Sequence, residues 1–277
     1  VVELLGGTEI RQLAEELDLR PTKKLGQNFV TDPNTIRKIV SAAKLKGDEV
    51  VVEIGPGLGS LTLGILEVVK KLVVVEVDSR LAGRLKQTLE AKAPGLSCEI
   101  VLADAMKVEA LPLDPTALVA NLPYNISVPV ILHFLERFPS LQKGLVLVQS
   151  EVAARLAAKP GSKVYGGPSA KLAWYAEANL AGSVSRNIFW PIPNVDSSLV
   201  YFAKRDNPLG DEELKLKTFD VIDNAFAQRR KTLRQALSTW ASSPSEAERI
   251  LIAAGISPQA RGEDLGIEDF VRVAQNK

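Results

Sequence analysis

Apolar residues along the chain fall into two rhythms. Predominantly apolar runs occupy residues 50–54, 72–77, 98–102, 117–120 and 144–149. Between them lie stretches with helical spacing at 61–69, 81–91 and 128–138. Continuous apolar strands separated by helices predict a parallel sheet covered on both faces. Ahead of this block, 9–19 reads as a short amphipathic helix. Thr31 or Asp32 can cap the next helix, with Pro33 suited to its first turn. Behind it, helices are expected at 151–158 and 170–178, with strands at 180–185 and 198–202 forming an antiparallel edge. The stretch KRDNPLG at 204–210 has linker composition. Beyond it, 214–226, 230–240, 244–254 and 267–274 all read as helices. The chain thus divides into an α/β domain at 1–204 and a helical domain at 205–277.

Composition narrows the chemistry. Cys98 and His133 are the sole cysteine and histidine, which rules out an internal disulfide, fits a reducing compartment and makes a zinc site untenable. Histidine-based nucleophilic chemistry would have to use His133, which lies in the apolar stretch VILHFLERF and reads as a packing residue. No metal is expected. The longest apolar runs are strand-sized, so no membrane span is predicted, and a cytoplasmic location is expected. The net charge of +1 argues neither for nor against nucleic acid. Its distribution says more: FAQRRKTLR at 226–234 gathers Arg229, Arg230, Lys231 and Arg234 without an acid. Arg20, Lys23 and Lys24 form a second basic stretch. Such clusters can bind phosphates, and they are also common as solvated faces.

The run VVVEIG leads directly into Gly55-Pro56-Gly57-Leu58-Gly59, a glycine loop of the kind that lets a nucleotide-like ligand approach the backbone. The next strand ends in Glu76 and Asp78, where a carboxylate can accept both hydroxyls of a ribose diol. The third ends in Asp104-Ala105-Met106, which could meet an adenine ring. The spacing G-x-G-x-G departs from the dinucleotide pattern G-x-G-x-x-G, disfavouring a nicotinamide dehydrogenase. After the fourth strand comes Asn121-Leu122-Pro123-Tyr124. The Asn121 side-chain carbonyl and the Leu122 backbone carbonyl offer two acceptors for an exocyclic amine, and Tyr124 offers a face for a flipped base. Phe189, in FWPIP, is a candidate second wall. A plain strand-to-helix turn capped by asparagine would account for the same four residues.

These motifs, in this order, resemble the ribosomal RNA adenine N6,N6-dimethyltransferase family, a relative of the erythromycin-resistance rRNA methyltransferases. The resemblance runs from Lys23 through KKLGQNFVTD, EIGPGLGSLT, VEVD, ADAM, NLPYNIS, FWPIPNVDSSLV and FAQRRKTLR. It implies a Rossmann-like S-adenosylmethionine-dependent methyltransferase fold with a small C-terminal all-helical domain. The implied cofactor is S-adenosylmethionine, held by Gln27, Asn28, Val30, Gly55, Gly57, Glu76, Asp104, Ala105 and Asn121. The implied target site comprises Asn121, Leu122, Pro123, Tyr124 and Phe189. The implied substrate is a pair of adjacent adenosines near the 3′ end of small-subunit rRNA, within an immature subunit, with Arg229, Arg230, Lys231 and Arg234 on the RNA and the enzyme acting as a monomer. Two rivals remain at this point: a large-subunit rRNA adenine methyltransferase, and an RNA-binding assembly factor. Ala103 stands where the family often has glycine, and Asn194 where lysine is common.

Overall fold

The computed structural model describes residues 1–19, 28–123 and 125–277. The basic stretch at Arg20, Lys23 and Lys24, and the site candidates Gln27 and Tyr124, lie outside the described residues.

By packing, the chain divides into two compact units, one comprising Val1–Ala153 with Leu180–Ala203 and the other Ala154–Asn179 with Lys204–Lys277. The elements of the first begin with α1 (Gly7–Glu16), β1 (Phe29–Val30), α2 (Pro33–Ala42), β2 (Val50–Ile54) and α3 (Ser60–Leu66). They continue with β3 (Lys71–Glu76), α4 (Ser79–Lys92), β4 (Cys98–Leu102), β5 (Ala117–Asn121), α5 (Ser127–Arg137) and β6 (Lys143–Gln149). Helix α6 (Ser150–Leu156) and strand β7 (Ala176–Val184) straddle the unit boundary. Strands β8 (Phe189–Trp190) and β9 (Ser197–Lys204) follow.

Seven strands form one sheet in the order β4-β3-β2-β5-β6-β9-β7. The pairs among β4, β3, β2, β5 and β6 are parallel, and β9 returns antiparallel along β6 from Lys143↔Ala203 to Gln149↔Ser197. The central strands are apolar on both faces because helices cover both: Val51, Val52, Leu118 and Val119 are all buried. At the β4 edge this cover thins, and Glu99 and Leu102 are exposed. Asp32, rather than Thr31, caps α2, its Oδ2 accepting the Thr35 N–H at 2.9 Å. Thr31 instead anchors a neighbouring segment: its N–H and its hydroxyl both donate to the Ile188 carbonyl, each at 2.8 Å.

That anchor flanks a feature that hydrophobic periodicity did not reveal. Phe29 and Val30 pair antiparallel with Trp190 and Phe189 in a separate two-stranded ladder. Two residues are too few to show a period of two.

The second unit holds α7 (Gly167–Tyr175), α8 (Glu212–Ala227), α9 (Leu233–Ala236), α10 (Pro244–Ala253) and α11 (Ile267–Gln275). It takes in 154–179, a segment that the sequence reading leaves with the strands. The reason is apolar: Tyr165, Ala170 and Trp174 share one core with Val221, Ile222, Leu251 and Phe270. Rings meet at Tyr165–Phe226 and Phe226–Phe270, with centroids 5.9 Å apart in both cases. Several helix predictions overran. The one at 170–178 stops at Tyr175, since β7 starts at Ala176; alanine-rich AEANLAG favours helix locally, and sheet pairing overrides it. The one at 230–240 shrinks to the four residues of α9. No helix among the described residues is long and apolar enough to cross a membrane.

Candidate active site

The carboxyl ends of the parallel strands open into one cavity of about 310 Å³. It collects the glycine loop after β2, Glu76 at the end of β3 with Asp78 beyond it, Ala103 to Ala105 after β4, and Asn121 at the end of β5 with Leu122 and Pro123 beyond it. Asn28, Phe29 and Val30 line it as well. This is where an open α/β sheet leaves room for a ligand, because strand ends diverge while helices start beside them.

The glycine loop has a geometric requirement. Gly55 and Gly57 have φ of +67° and +57°, in the left-handed region that side chains rarely adopt. At Gly57 a Cβ would also stand 2.9 Å from the Phe29 ring. That glycine therefore lets Phe29 close against the loop.

Glu76 is 5% exposed, and backbone N–H groups hold its carboxyl in place. One oxygen accepts from Val77 at 2.8 Å and Asp78 at 3.0 Å, the other from Gly57 at 3.2 Å. Burial moves its pKa up, and those three N–H donors oppose the shift. The Gly57 bond ties the second strand's acid directly to the glycine loop. Asp104 is exposed; its Oδ1 accepts the Met106 N–H at 3.0 Å and caps a 3₁₀ turn at Ala105–Lys107.

Beneath the loop lies an acid that the sequence reading passed over. Glu53 is 1% exposed within β2, and burial pushes its carboxyl up to about 8. The neighbouring Thr62 hydroxyl opposes that shift, and Glu53 Oε2 and Ser60 Oγ find no hydrogen-bond partner among the described residues. The available signal was a single acid within the apolar run VVVEIG. A carboxyl with a raised folded pKa stays protonated while the unfolded chain ionises, so its contribution to stability is full below about pH 4.5 and is lost as pH rises through about 8. Glu53→Gln is therefore expected to match the parent melting temperature at pH 4 and exceed it by several degrees (about) at pH 8.5. Melting curves across this range check it; parallel pH profiles for the two proteins would refute it.

At the carboxyl end of the neighbouring strand β5, Asn121 Nδ2 donates to the Asn28 carbonyl at 3.1 Å. With the amide so oriented, its Oδ1 is the atom left for a ligand. The turn that follows is fixed at both ends: the Leu122 N–H donates to Leu147 O at 3.0 Å, and Ile126 N–H to Pro123 O at 3.3 Å. Phe189 belongs to the apolar core at 3% exposure and does not line the described part of the cavity. Its neighbour Trp190 is half-buried and stacks on Phe29, with ring centroids 6.5 Å apart and planes 17° apart. His133 lies outside the site, its Nε2–H donating to the Val108 carbonyl at 2.9 Å. Among the described residues no three potential ligands cluster to hold a metal.

The basic cluster, in the second unit, is not uniform. Arg229 pairs with Glu263 at 3.1 Å and also donates to the Lys163 carbonyl; Arg234 pairs with Glu248 at 2.7 Å. Arg230 and Lys231 are exposed, and their side chains enter no ion pair or hydrogen bond among the described residues.

Fold and cavity together define a Rossmann-like methyltransferase of the S-adenosylmethionine-dependent class, with a mixed sheet and a C-terminal helical region. A family model described as ribosomal RNA adenine dimethylase matches residues 19–277, and the chain belongs to that family. It is 58% identical to ribosomal RNA small subunit methyltransferase A of Paenarthrobacter aurescens, covering 99% of this chain and 94% of that protein. Identity to the protein of the same description from Streptomyces avermitilis is 56%, covering 99% and 94%. Among solved structures, a dimethyladenosine transferase from Plasmodium falciparum shares the fold with a TM-score of 0.75 at 24% identity, over 88% of this chain and 95% of that one. The 23S rRNA methyltransferase ErmE gives 0.66 at 25% identity, over 90% and 99%. The chain is thus an enzyme of the S-adenosylmethionine-dependent rRNA methyltransferases, acting on adenine N6.

Proposed function

We propose that this chain dimethylates N6 of two adjacent adenosines in the 3′-terminal hairpin loop of small-subunit rRNA, on immature subunits during ribosome biogenesis. The observation that carries the chemistry is the single cavity. It brings Gly55, Glu76 and Asp104 together with Asn121, Leu122 and Pro123. The small-subunit target is supported by the whole-length likeness to small-subunit methyltransferases.

The residues fit S-adenosylmethionine on the evidence of their own geometry. Glu76 is buried and clamped at a strand end, where its remaining lone pairs suit a ribose diol. Gly55 leaves open space beside the backbone for an amino-acid group. Asp104 is exposed at the mouth, with Ala105 beside it, to accept an adenine amine. Asn28 and Val30 close the same wall. S-adenosylmethionine supplies an electrophilic methyl attached to a sulfonium.

The chain's own part is positioning. Adenine N6 is a poor nucleophile because its lone pair is delocalised into the ring. Asn121 Oδ1 and the Leu122 carbonyl accept the two amine hydrogens, favouring a tetrahedral nitrogen whose lone pair is free. Pro123 and Tyr124 hold the base. Placement and oriented dipoles do the work of catalysis. The methylated nitrogen loses its proton to water, and no histidine is required. On this reading Arg230 and Lys231, with Arg229 and Arg234 behind their carboxylate partners, meet RNA phosphates. The enzyme acts as a monomer in the cytoplasm, where subunits mature.

Mass spectrometry of rRNA after separate incubations of undermethylated small subunits and of free large-subunit rRNA with isotope-labelled cofactor tests the proposal. Two adjacent dimethyladenosines near the 3′ end are expected. A labelled adenosine in large-subunit rRNA alone would replace this reading with the large-subunit one.

A further inference from the structure

The segment after Trp190 carries exposed apolar side chains on a stiff frame. It starts one residue from a contact with the cavity wall, since Trp190 stacks on Phe29 and Phe29 lines the cavity. Ile192 is 62% exposed and Val195 43%. Single exposed apolar residues are ordinary; the frame is what sets these two apart. Pro191 and Pro193 fix φ on either side of Ile192, and a residue preceding proline is confined to extended backbone.

Beyond the prolines, Arg186 clasps the segment. Its backbone N–H and its Nε donate to Asp196 Oδ1 at 2.9 and 3.1 Å, and its guanidinium also donates to the Asn194 carbonyl. The Asp196 carbonyl accepts the Ser150 N–H at 3.0 Å. Both partners of the Arg186–Asp196 pair are substantially exposed, at 42% and 50%, and such pairs add little to stability. Holding two apolar side chains rigidly in water adds no burial to folding either. It does remove in advance the entropy cost of ordering them against a partner.

We propose that Ile192 and Val195, flanked by Pro191 and Pro193, form an apolar wedge against the bases flanking the target adenine, and that Arg186 is the positioning residue that holds it. The inference rests on the reading above, in which an RNA adenine leaves its stack to enter the cavity. Extrusion of a base exposes the faces of its neighbours and costs the stacking between them. An aliphatic or proline wedge covers such faces, as wedges of this kind do between the steps of kinked duplexes. The stretch Pro-Ile-Pro-Asn-Val carries no charge, so it suits base faces rather than phosphates. Two side chains are also far too small an area for a protein partner.

The test is steady-state methylation of undermethylated small ribosomal subunits by the parent chain and by Ile192→Ser, Ile192→Trp, Arg186→Ala and Arg186→Lys. Cofactor affinity is measured by calorimetry alongside, and folding by melting curves. Ile192→Ser is expected to raise KM for the subunit about tenfold, with kcat, cofactor Kd and melting temperature unchanged. Ile192→Trp, which restores an apolar face, is expected to return KM to the parent value or below. Arg186→Ala is expected to raise KM in the same sense, and Arg186→Lys to recover part of the loss. Parent-like KM for Ile192→Ser, or equal weakening by Ser and Trp, overturns the wedge while leaving the functional reading intact. Absence of subunit methylation by the parent chain overturns that reading and the wedge with it.

Discussion

Asn121→Ala is expected to lower kcat for adenine methylation by about 10²–10³-fold, the scale of losing one oriented polar group at a reacting centre. Two consequences of the substitution can be separated. The first is chemical: Oδ1 no longer accepts an amine hydrogen, so the nitrogen lone pair is less available in the transition state. The second is architectural. The Asn28 carbonyl loses its 3.1 Å donor, which loosens the segment leading into β1. This second effect should weaken cofactor binding only severalfold (roughly), the worth of one neutral hydrogen bond. Asn121→Asp distinguishes them further. It keeps an acceptor for the amine but loses the donor to Asn28 and places a carboxylate oxygen against that carbonyl. Single-turnover rates at saturating cofactor, with cofactor Kd measured separately, resolve the two contributions. Parent-like turnover in Asn121→Ala would remove the residue from the proposed chemistry.

The sequence made much of this site legible, and the reasons are physical. Parallel strands buried on both faces leave continuous apolar runs, so β2, β4 and β5 begin at the residues read from the pattern, and β3 and β6 begin one residue earlier. Because ligands sit at the carboxyl ends of such strands, locating the strands also located Gly55, Glu76, Asp104 and Asn121. What escaped notice depends on long-range contact. The pairing of Phe29 with Trp190 joins segments 161 residues apart through two-residue strands, and neither strand has a local signature. The same ladder explains Phe189. Its position in an aromatic-proline motif suggests a wall for the base, yet pairing with Val30 turns it into the core and leaves Trp190 half-exposed. Glu53 was hidden for the opposite reason. An acid in a strand reads as a solvated position, and only the burial of β2 on both faces reveals a carboxyl pushed up to about 8.

Charge was the least legible property. The four basic residues at 229–234 look equivalent as a string. In the folded chain, carboxylates from sequence-distant Glu263 and Glu248 engage two of them and leave Arg230 and Lys231 exposed. Exposed ion pairs are weak, so in the proposed function Arg229 and Arg234 would give up a carboxylate partner to meet a phosphate, whereas Arg230 and Lys231 need break none.

Glu76→Ala is the substitution expected to weaken cofactor binding most, by about 10²-fold or more, from the loss of charge-assisted hydrogen bonds to a ribose diol. It also strands the N–H groups of Gly57, Val77 and Asp78, all of which now point at one carboxyl. The loop that carries Gly57 is then released from the end of β3, and a modest fall in melting temperature should accompany the loss of affinity. Glu76→Gln is the sharper probe. It preserves size, but its amide nitrogen must face either the Gly57 N–H or the pair from Val77 and Asp78, donor against donor. Its binding defect should therefore approach that of alanine. The pH dependence follows from the same burial. Because the Glu76 pKa is raised, the carboxyl is expected to protonate above the usual glutamate range as pH falls. Cofactor Kd should rise on that descent at a higher pH than an exposed glutamate would give, and the rise should be absent in Glu76→Gln. Calorimetric titration of cofactor between about pH 4.5 and 8 measures both effects. Parent-like cofactor Kd in Glu76→Ala would take the ribose away from this residue and return Glu76 to a purely structural clamp on the glycine loop.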